Sequence, residues 1–250
     1  MKILTIAAQR GGTGKTTTAA ALAQAAAFRG LKVLAVDLDP QGNFTFALGV
    51  SAQPPGILEV LHGRTWHTAT KETADGIHVL TASQSLAAEQ TAPGSANRLR
   101  NALKAARTHY DMIIIDTPPT AGEMQYNALQ AATDLIIPLQ ADIFGLQGLY
   151  MITATARQIQ QTNKDLQIAG VIFTRHNPRS TITRQMQQAI TAKAAEMNIP
   201  VLGAIREGVA IREAQALQRS LYEYAPKAKP ALDYLEILDE IQRGRGGVPT

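Results

Sequence analysis

Gln9-Arg10-Gly11-Gly12-Thr13-Gly14-Lys15-Thr16-Thr17 is the stretch on which the reading of this 250-residue chain turns. Before it, Ile3-Leu4-Thr5-Ile6-Ala7 is a short apolar run, the pattern of a parallel strand buried on both faces. After it, Thr17 to Phe28 is rich in alanine, carries Leu22 and is closed by Gly30, which predicts a helix. A glycine-rich turn between a strand and a helix is the setting of a phosphate cradle. Glycines let backbone N–H groups converge on phosphate oxygens with no Cβ in the way. The helix N-terminus adds partial positive charge, Lys15 is placed to reach β- and γ-phosphates, and the Thr16 hydroxyl is a ligand for Mg²⁺. The strict spacing G-x-x-x-x-G-K-[ST] is not met, because position 9 is Gln9. In its place stand a basic residue, two glycines, one free position and Gly-Lys-Thr-Thr.

Outward from the loop, apolar runs alternate with helical patterns. Val33-Leu34-Ala35-Val36 predicts a second buried strand, followed by Asp37-Leu38-Asp39-Pro40-Gln41-Gly42-Asn43. Carboxylates at the C-terminal end of a parallel strand lie on the ligand side of such a sheet; a helix cap or turn is the other reading of Asp37 and Asp39. Residues 51–76 read as a mixed connector, where Trp66, His62 and His67 suggest a half-buried surface cluster rather than a metal site. Ile77–Leu80 is a further strand, and a helical stretch from about Leu86 to Arg107 is interrupted at Pro93-Gly94, with Ser95 as a cap. Asp111-Met112-Ile113-Ile114-Ile115-Asp116 is an apolar strand closing on aspartate, the Walker B form, whose carboxylate holds Mg²⁺ directly or through water. Strands at Leu135–Leu139, Ala169–Phe173 and Val201–Ile205 alternate with helices near residues 145–162, 183–197, 210–221 and 231–243. The expectation is one α/β domain over residues 1–250: a single doubly wound, mostly parallel sheet flanked by helices, with its ligand at the C-terminal strand edge.

Composition narrows the function. A hydrophobic fraction of 45% supports a sizeable core, and the absence of cysteine excludes disulfides, thiolate metal sites and cysteine nucleophiles. No apolar run approaches a membrane span, and no signal pattern opens the chain. Residues 1–150 hold 11 Lys/Arg and 11 Asp/Glu, whereas residues 151–250 hold 13 and 9, so the whole net charge of +4 falls in the second part. A one-sided excess suggests an anionic partner, nucleic acid first, against the plainer reading of an ordinary solvated surface.

Arg10-Gly-Gly-Thr-Gly-Lys-Thr-Thr-Thr18, Val36-Asp-Leu-Asp-Pro-Gln-Gly-Asn43 and Ile115-Asp-Thr-Pro-Pro119 together resemble the ParA/Soj group of deviant Walker A P-loop ATPases, which also contains the cell-division ATPase MinD. The resemblance is dense to residue 150 and recurs at Glu213-Ala214 and Tyr222–Tyr234. It implies ATP and Mg²⁺ as cofactors, a homodimer that sandwiches two nucleotides, and slow hydrolysis. It also implies DNA binding without sequence preference, and release by a ParB-like DNA-bound activator, in a cytoplasmic, nucleoid-associated protein. Carried over residue by residue, Lys15 contacts phosphates, Thr16 the Mg²⁺, and Asp39 positions the attacking water, while Asp37 and Asp116 support the metal and switch region. Gly11, Gly12, Thr13, Gly14 and Thr17 supply backbone or hydroxyl contacts. The reaction so implied is phosphoryl transfer by positioning and charge stabilisation.

Two departures stand out. The family's usual lysine, which reaches across the dimer to the other nucleotide, is here Arg10, which keeps the charge and offers a bidentate fork. The family's late basic face corresponds only loosely to Arg175, Arg179 and Arg184 around the loop after one strand, and to Arg212 and Arg219, seven apart and expected on one helix face. Their alternative reading is separate surface charges, with Arg175 or Arg206 flanking an adenine pocket. A MinD-like membrane role would need a basic amphipathic last helix; Leu232, Leu235, Leu238 and Ile241 supply the stripe, but Asp233, Glu236, Asp239 and Glu240 oppose lipid. Iron–sulfur relatives require cysteines that the chain lacks. An ATP-gated scaffold that does not bind DNA is the remaining alternative. With no helix-turn-helix segment ahead of residue 1, operator-specific DNA binding is not expected.

Overall fold

Each expected apolar run becomes a strand. The structure is a computed structural model describing residues 1–89, 97–177 and 180–244. The first half of the chain runs β1 (Lys2–Ile6), α1 (Lys15–Phe28), β2 (Val33–Asp37), α2 (Asn43–Ala47), α3 (Ile57–Leu61), β3 (Thr70–Glu72), β4 (His78–Leu80), α4 (Leu86–Glu89), α5 (Arg98–Leu103) and β5 (Met112–Asp116). The second half runs α6 (Glu123–Ala131), β6 (Asp134–Leu139), α7 (Ile143–Ile159), β7 (Gln167–His176), α8 (Thr181–Glu196), β8 (Val201–Arg206), α9 (Val209–Ala216), α10 (Leu221–Tyr224) and α11 (Lys229–Arg243).

The strands form one sheet in the order β3-β4-β2-β5-β1-β6-β7-β8, parallel except for the edge pair β3–β4. From β1 the chain crosses to β2, and from β5 it crosses back over β1 to β6, so β1 lies where the winding reverses. Ligands of such sheets bind in the crevice outside the carboxyl ends of the strands at that point. Register sharpens the placement: Ile6, Asp116 and Asp37 stand level on β1, β5 and β2. The two aspartates that close apolar strands therefore close adjacent ones, Asp116 on the strand beside the glycine-rich loop's own and Asp37 on the next.

Helices cover both faces. On one side the alanine run of α1 is buried almost throughout and lies against Tyr234, Ile237, Leu238 and Ile241 of α11. Methyl-sized side chains let the helix backbone approach the sheet and α11 closely, which is what the alanines are for. Leu238 and Ile241 are core, so most of the last helix's apolar stripe is covered by protein, while Leu232 remains exposed.

Several expectations on the elements are corrected. α3 and β3 form in the stretch read as connector, and α2 and α6 fill stretches left unassigned after Asn43 and before β6. The helix expected over 210–221 is broken. α9 ends at Ala216, Gln218 takes a left-handed backbone (φ 51°), and Ser220 caps a new short helix by accepting from Tyr222 N. Arg212 and Arg219 therefore do not share a helix face. The interruption at Pro93-Gly94 and the cap at Ser95 lie outside the described residues.

Candidate nucleotide site

The loop between β1 and α1 owes its shape to two glycines with left-handed backbones, Gly12 (φ 75°) and Gly14 (φ 87°). At Gly14 the space is also tight, since a Cβ would stand 3.3 Å from Thr174 Cγ2. The loop is held from behind by the ends of β6 and β7. The Thr174 hydroxyl donates to Thr13 O (2.8 Å), and Gln140 Nε2 donates to Gly12 O (2.8 Å). Gln9, where the strict pattern has glycine, anchors the other end by donating to Thr155 Oγ1 on α7 (2.8 Å).

Lys15 opens α1 and is 6% exposed. Its Nζ donates to Arg10 O (3.1 Å). Burial lowers its pKa, and the charges of Asp116 and Asp39 oppose that shift. Next to it, the Thr16 hydroxyl donates to Asp116 Oδ2 (2.7 Å). Asp116 is fully buried, and its Oδ1 has no hydrogen-bond partner. Burial first, and then the charge of Asp37, push its carboxyl well above the usual carboxylate range.

A buried carboxylate oxygen without a donor, beside a hydroxyl and beneath a phosphate-type loop, is what a hydrated divalent cation satisfies. Among the described residues no group of three or more His, Cys, Asp or Glu is gathered around a metal position. That agrees with the habit of Mg²⁺, which takes one or two protein ligands and completes its shell with phosphate and water. Thr16 and Asp116 fit this role.

Asp37 is used differently. Its Oδ2 accepts from Thr45 N and Thr45 Oγ1 (both 2.8 Å), and its Oδ1 from Asp39 N (3.1 Å). These bonds pull against burial, which wins and raises its pKa to about 6. Asp37 thus folds the segment 39–45 around itself, and so presents Asp39. The Oδ1 of Asp39 accepts from Gln41 N (3.0 Å), which fixes the carboxylate's orientation.

Thr17 and Gly14 open onto a cavity of about 280 Å³ that continues to Arg175, Ile205, Glu207, Ile211, Arg212 and Tyr234. A space of this size joined to the loop suits a nucleotide's base and sugar. Arg175, left-handed at φ 50°, and Arg212 both stand on its wall. Arg206 lines it too, but its guanidinium and backbone N–H are bound to Asp233.

Of the residues expected to meet DNA, two therefore edge this cavity. Arg219 is paired with Glu223 (2.6 Å), and Arg184 lies on α8, donating to Thr181 Oγ1 (3.3 Å). Arg179 lies outside the described residues. Arg10 makes no contact with the acidic residues of the site. It donates to both oxygens of Asp142 and lies over the Phe144 ring.

A family described as "AAA domain" matches residues 1–168. The "Chromosome-partitioning ATPase Soj" of Thermus thermophilus is 32% identical to this chain, over 95% of it and 94% of that protein. The chain belongs to the ParA/Soj family of P-loop ATPases. Solved structures agree with this family's fold. A cobyrinic acid a,c-diamide synthase from Mycobacterium smegmatis, with bound ADP and magnesium, superposes with a TM-score of 0.83 at 32% identity, covering 97% of this chain and 94% of that one. The septum site-determining protein MinD from Pyrococcus horikoshii, complexed with Mg-ADP, gives 0.81 at 25% identity, covering 97% and 96%. These differing names on one fold mean that the task of this ParA/Soj ATPase must be argued from its own residues.

Sequence reasoning names the loop residues and the strand-end aspartates, and the structure sets Asp37 and Asp116 level on adjacent strands. That reasoning missed Thr174, Gln140 and Thr45, which act from distant segments and carry no motif. Asp142 did have a signal, an aspartate just ahead of an apolar helical run, the pattern of an N-cap.

Proposed function

We propose that the chain is a Mg²⁺-ATP-dependent DNA-partitioning ATPase. In this reading residues 1–250 act as one ATPase domain, two copies pair across two ATP molecules, and the paired form binds DNA without sequence preference. A ParB-like DNA-bound partner stimulates hydrolysis and releases it, so the protein works at the nucleoid. The observation that carries the ATPase core is the Thr16–Asp116 bond with Asp116 Oδ1 unpaired beneath the loop and beside Lys15.

The chemistry follows from the residues in place. Loop N–H groups and Lys15 hold the β- and γ-phosphates. Thr16 and Asp116 hold Mg²⁺, which when bound neutralises charge on the phosphate oxygens. Asp39, its Oδ1 engaged by Gln41 N, offers Oδ2 to orient a water in line with the γ-phosphorus. The cavity beyond Thr17 takes the base and ribose. No covalent intermediate is needed.

A lipid-anchored role fits poorly, since Leu238 and Ile241 of α11 are core, Asp233 is bound to Arg206 and Asp239 to Arg29. The test is phosphate release from ATP with and without Mg²⁺, for the wild type and Lys15→Ala. Slow, Mg²⁺-dependent turnover that the variant loses is expected. A variant that binds and hydrolyses ATP as the wild type does would overturn the loop assignment.

A further inference from the structure

Three arginines stand on the wall of the cavity that opens from the phosphate loop, and one of them is held by its edge. Arg206 ends β8, and Asp233 on α11 takes up one side of its guanidinium. Nε donates to both carboxylate oxygens (3.0 Å each), NH2 donates to Oδ1, and the backbone N–H of Arg206 donates to Oδ2 (2.9 Å). We infer that Arg206 is the stacking surface for the nucleotide's base, and that Asp233 is the positioning residue that keeps its plane in place. The inference deepens the nucleotide-site reading proposed above and rests on it.

Four observations carry it. First, bonds made along the edge of a guanidinium lie in its plane and leave its faces open. The Arg206 side chain is 40% exposed and that of Asp233 only 7%, so protein covers the carboxylate and not the guanidinium. An uncovered guanidinium face is a surface on which a nucleobase stacks. Second, Asp233 already answers the charge of Arg206. Arg175 and Arg212, on the same wall, form no ion pair among the described residues and suit an anionic group better. What Arg206 offers is a plane rather than a free charge.

Third, the strand that ends in Arg206 stands three places from β1 in the sheet. At the usual spacing of strands that is roughly 14 Å, which sets Arg206 toward the base and away from the phosphates. Fourth, Asp233 is fixed without help from Arg206. Its neighbour Tyr234 reaches the same cavity, is buried, and shares a hydrogen bond between its hydroxyl and Thr18 Oγ1 of α1 (3.2 Å). Gly208, also on the wall, lies close against α11, since a Cβ there would stand 3.1 Å from Pro230 Cγ. Packed against both α1 and the segment after β8, α11 is a firm anchor for the carboxylate.

The test is equilibrium binding of ATP, CTP and inorganic tripolyphosphate, each with Mg²⁺. The proteins are the wild type, Arg206→Lys, Asp233→Asn and the double variant. Lysine leaves a cation beside Asp233, which would otherwise be a buried carboxylate without a partner, but it has no plane. Arg206→Lys is expected to weaken ATP about three- to tenfold, the scale of one stacking contact, to weaken CTP less, and to leave tripolyphosphate within about twofold. Asp233→Asn keeps Arg206 but releases it, and should weaken ATP about two- to fivefold with the same dependence on the base. In the Arg206→Lys background Asp233→Asn should add nothing.

Equal losses for ATP, CTP and tripolyphosphate overturn the inference, because Arg206 would then only tether β8 to α11. Unchanged ATP affinity in Arg206→Lys overturns it as well. An added loss in the double variant removes Asp233 from the positioning role, since it would act through something other than Arg206. If Arg206→Lys does not fold, Asp233→Asn decides by the same comparison of the three ligands. Wild-type protein that binds none of them defeats the proposed function and this inference with it. Wild-type protein that hydrolyses ATP but binds it no more tightly than tripolyphosphate defeats this inference alone.

Discussion

At the scale of single residues, the site divides its three aspartates by environment. Asp116 keeps one oxygen without a partner beside Thr16, Asp37 spends both oxygens on its own loop, and Asp39 has one oxygen held by Gln41 N. Asp39→Ala should therefore leave ATP affinity within about twofold and lower turnover by roughly two orders of magnitude, the usual scale for losing a positioned acid–base group. Equilibrium binding of a fluorescent ATP analogue beside single-turnover hydrolysis separates the two. Normal turnover would mean that another group orients the water. The buried carboxyls also make stability depend on pH. The folded-state pKa of Asp37 is raised from 3.8 to about 6, so the folded protein holds a proton that the unfolded chain has released between those values. Stability must then rise as pH falls from about 7 toward 4, with Asp116 adding in the same direction and Asp37 alone contributing up to roughly 3 kcal/mol. Thermal unfolding without metal or nucleotide, compared at pH 7.5 and 5.5, should show the higher midpoint at pH 5.5, and Asp37→Asn should flatten the difference. A midpoint that falls on acidification would contradict the burial of these groups as charged-form penalties.

At the scale of elements, the segment from β6 into α7 works as a clamp, since Gln140 and Asp142 each hold one part of the phosphate loop. Gly145 makes the clamp possible, because a Cβ there would stand 2.1 Å from Gln140 O and 3.4 Å from Ile190 Cδ1. Gly145→Ala must push α7 away from the strand end, at a cost of about 1–3 kcal/mol. Both a lower unfolding midpoint and weaker ATP binding are expected, and a change in the first without the second would show that the loop does not depend on the clamp. Beyond the N-cap pattern at Asp142, this clamp was not legible in the sequence, whereas the strands were. A strand buried on both faces must be apolar at every position, so Ile113-Ile114-Ile115 or Leu34-Ala35-Val36 announces itself over four or five residues. The edge strand Thr70–Glu72 is half-buried at most and has no such pattern, and α2 is a single turn organised by Asp37 from outside itself. The break between α9 and α10 was hidden for a related reason. Ala210 to Leu221 keeps helical composition throughout, and the chain is turned by the left-handed Gln218, whose backbone closely adjoins Gly49. The strand-end aspartates were readable because they sit on those same strands, while the partners that orient them come from elsewhere in the chain.

At the scale of the whole molecule, the question is where a phosphate backbone could lie. The positive excess falls after residue 150, yet much of it is answered on the spot: Arg206 by Asp233, Arg219 by Glu223, Lys193 by Glu196 and Arg243 by Glu240. Arg175 and Arg212 form no ion pair among the described residues, but they stand on the wall of the cavity that opens from the phosphate loop. Arg184 differs from both. It lies on α8, a sixteen-residue helix in which only Ile190 and Ala194 are buried and whose one acidic residue is Glu196 at its end. A long, exposed helix that is polar and free of acid over most of its length suits DNA phosphates better than paired arginines do. The three positions can be told apart. Arg184→Glu should weaken ATP-dependent binding to two unrelated duplexes equally, reduce the slope of log affinity against log salt by about 1, and leave basal ATP turnover unchanged. Arg219→Ala should do little, since its charge already has a partner. Arg212→Ala should act on nucleotide affinity first, and on DNA only through it. If Arg219→Ala instead matches Arg184→Glu in both affinity and salt slope, the DNA face includes the turn between α9 and α10, and its pair with Glu223 opens on binding. Should none of the three alter DNA affinity while ATP hydrolysis persists, the ATP-bound pair is a switch for a protein partner, and the charge after residue 150 is solvated surface.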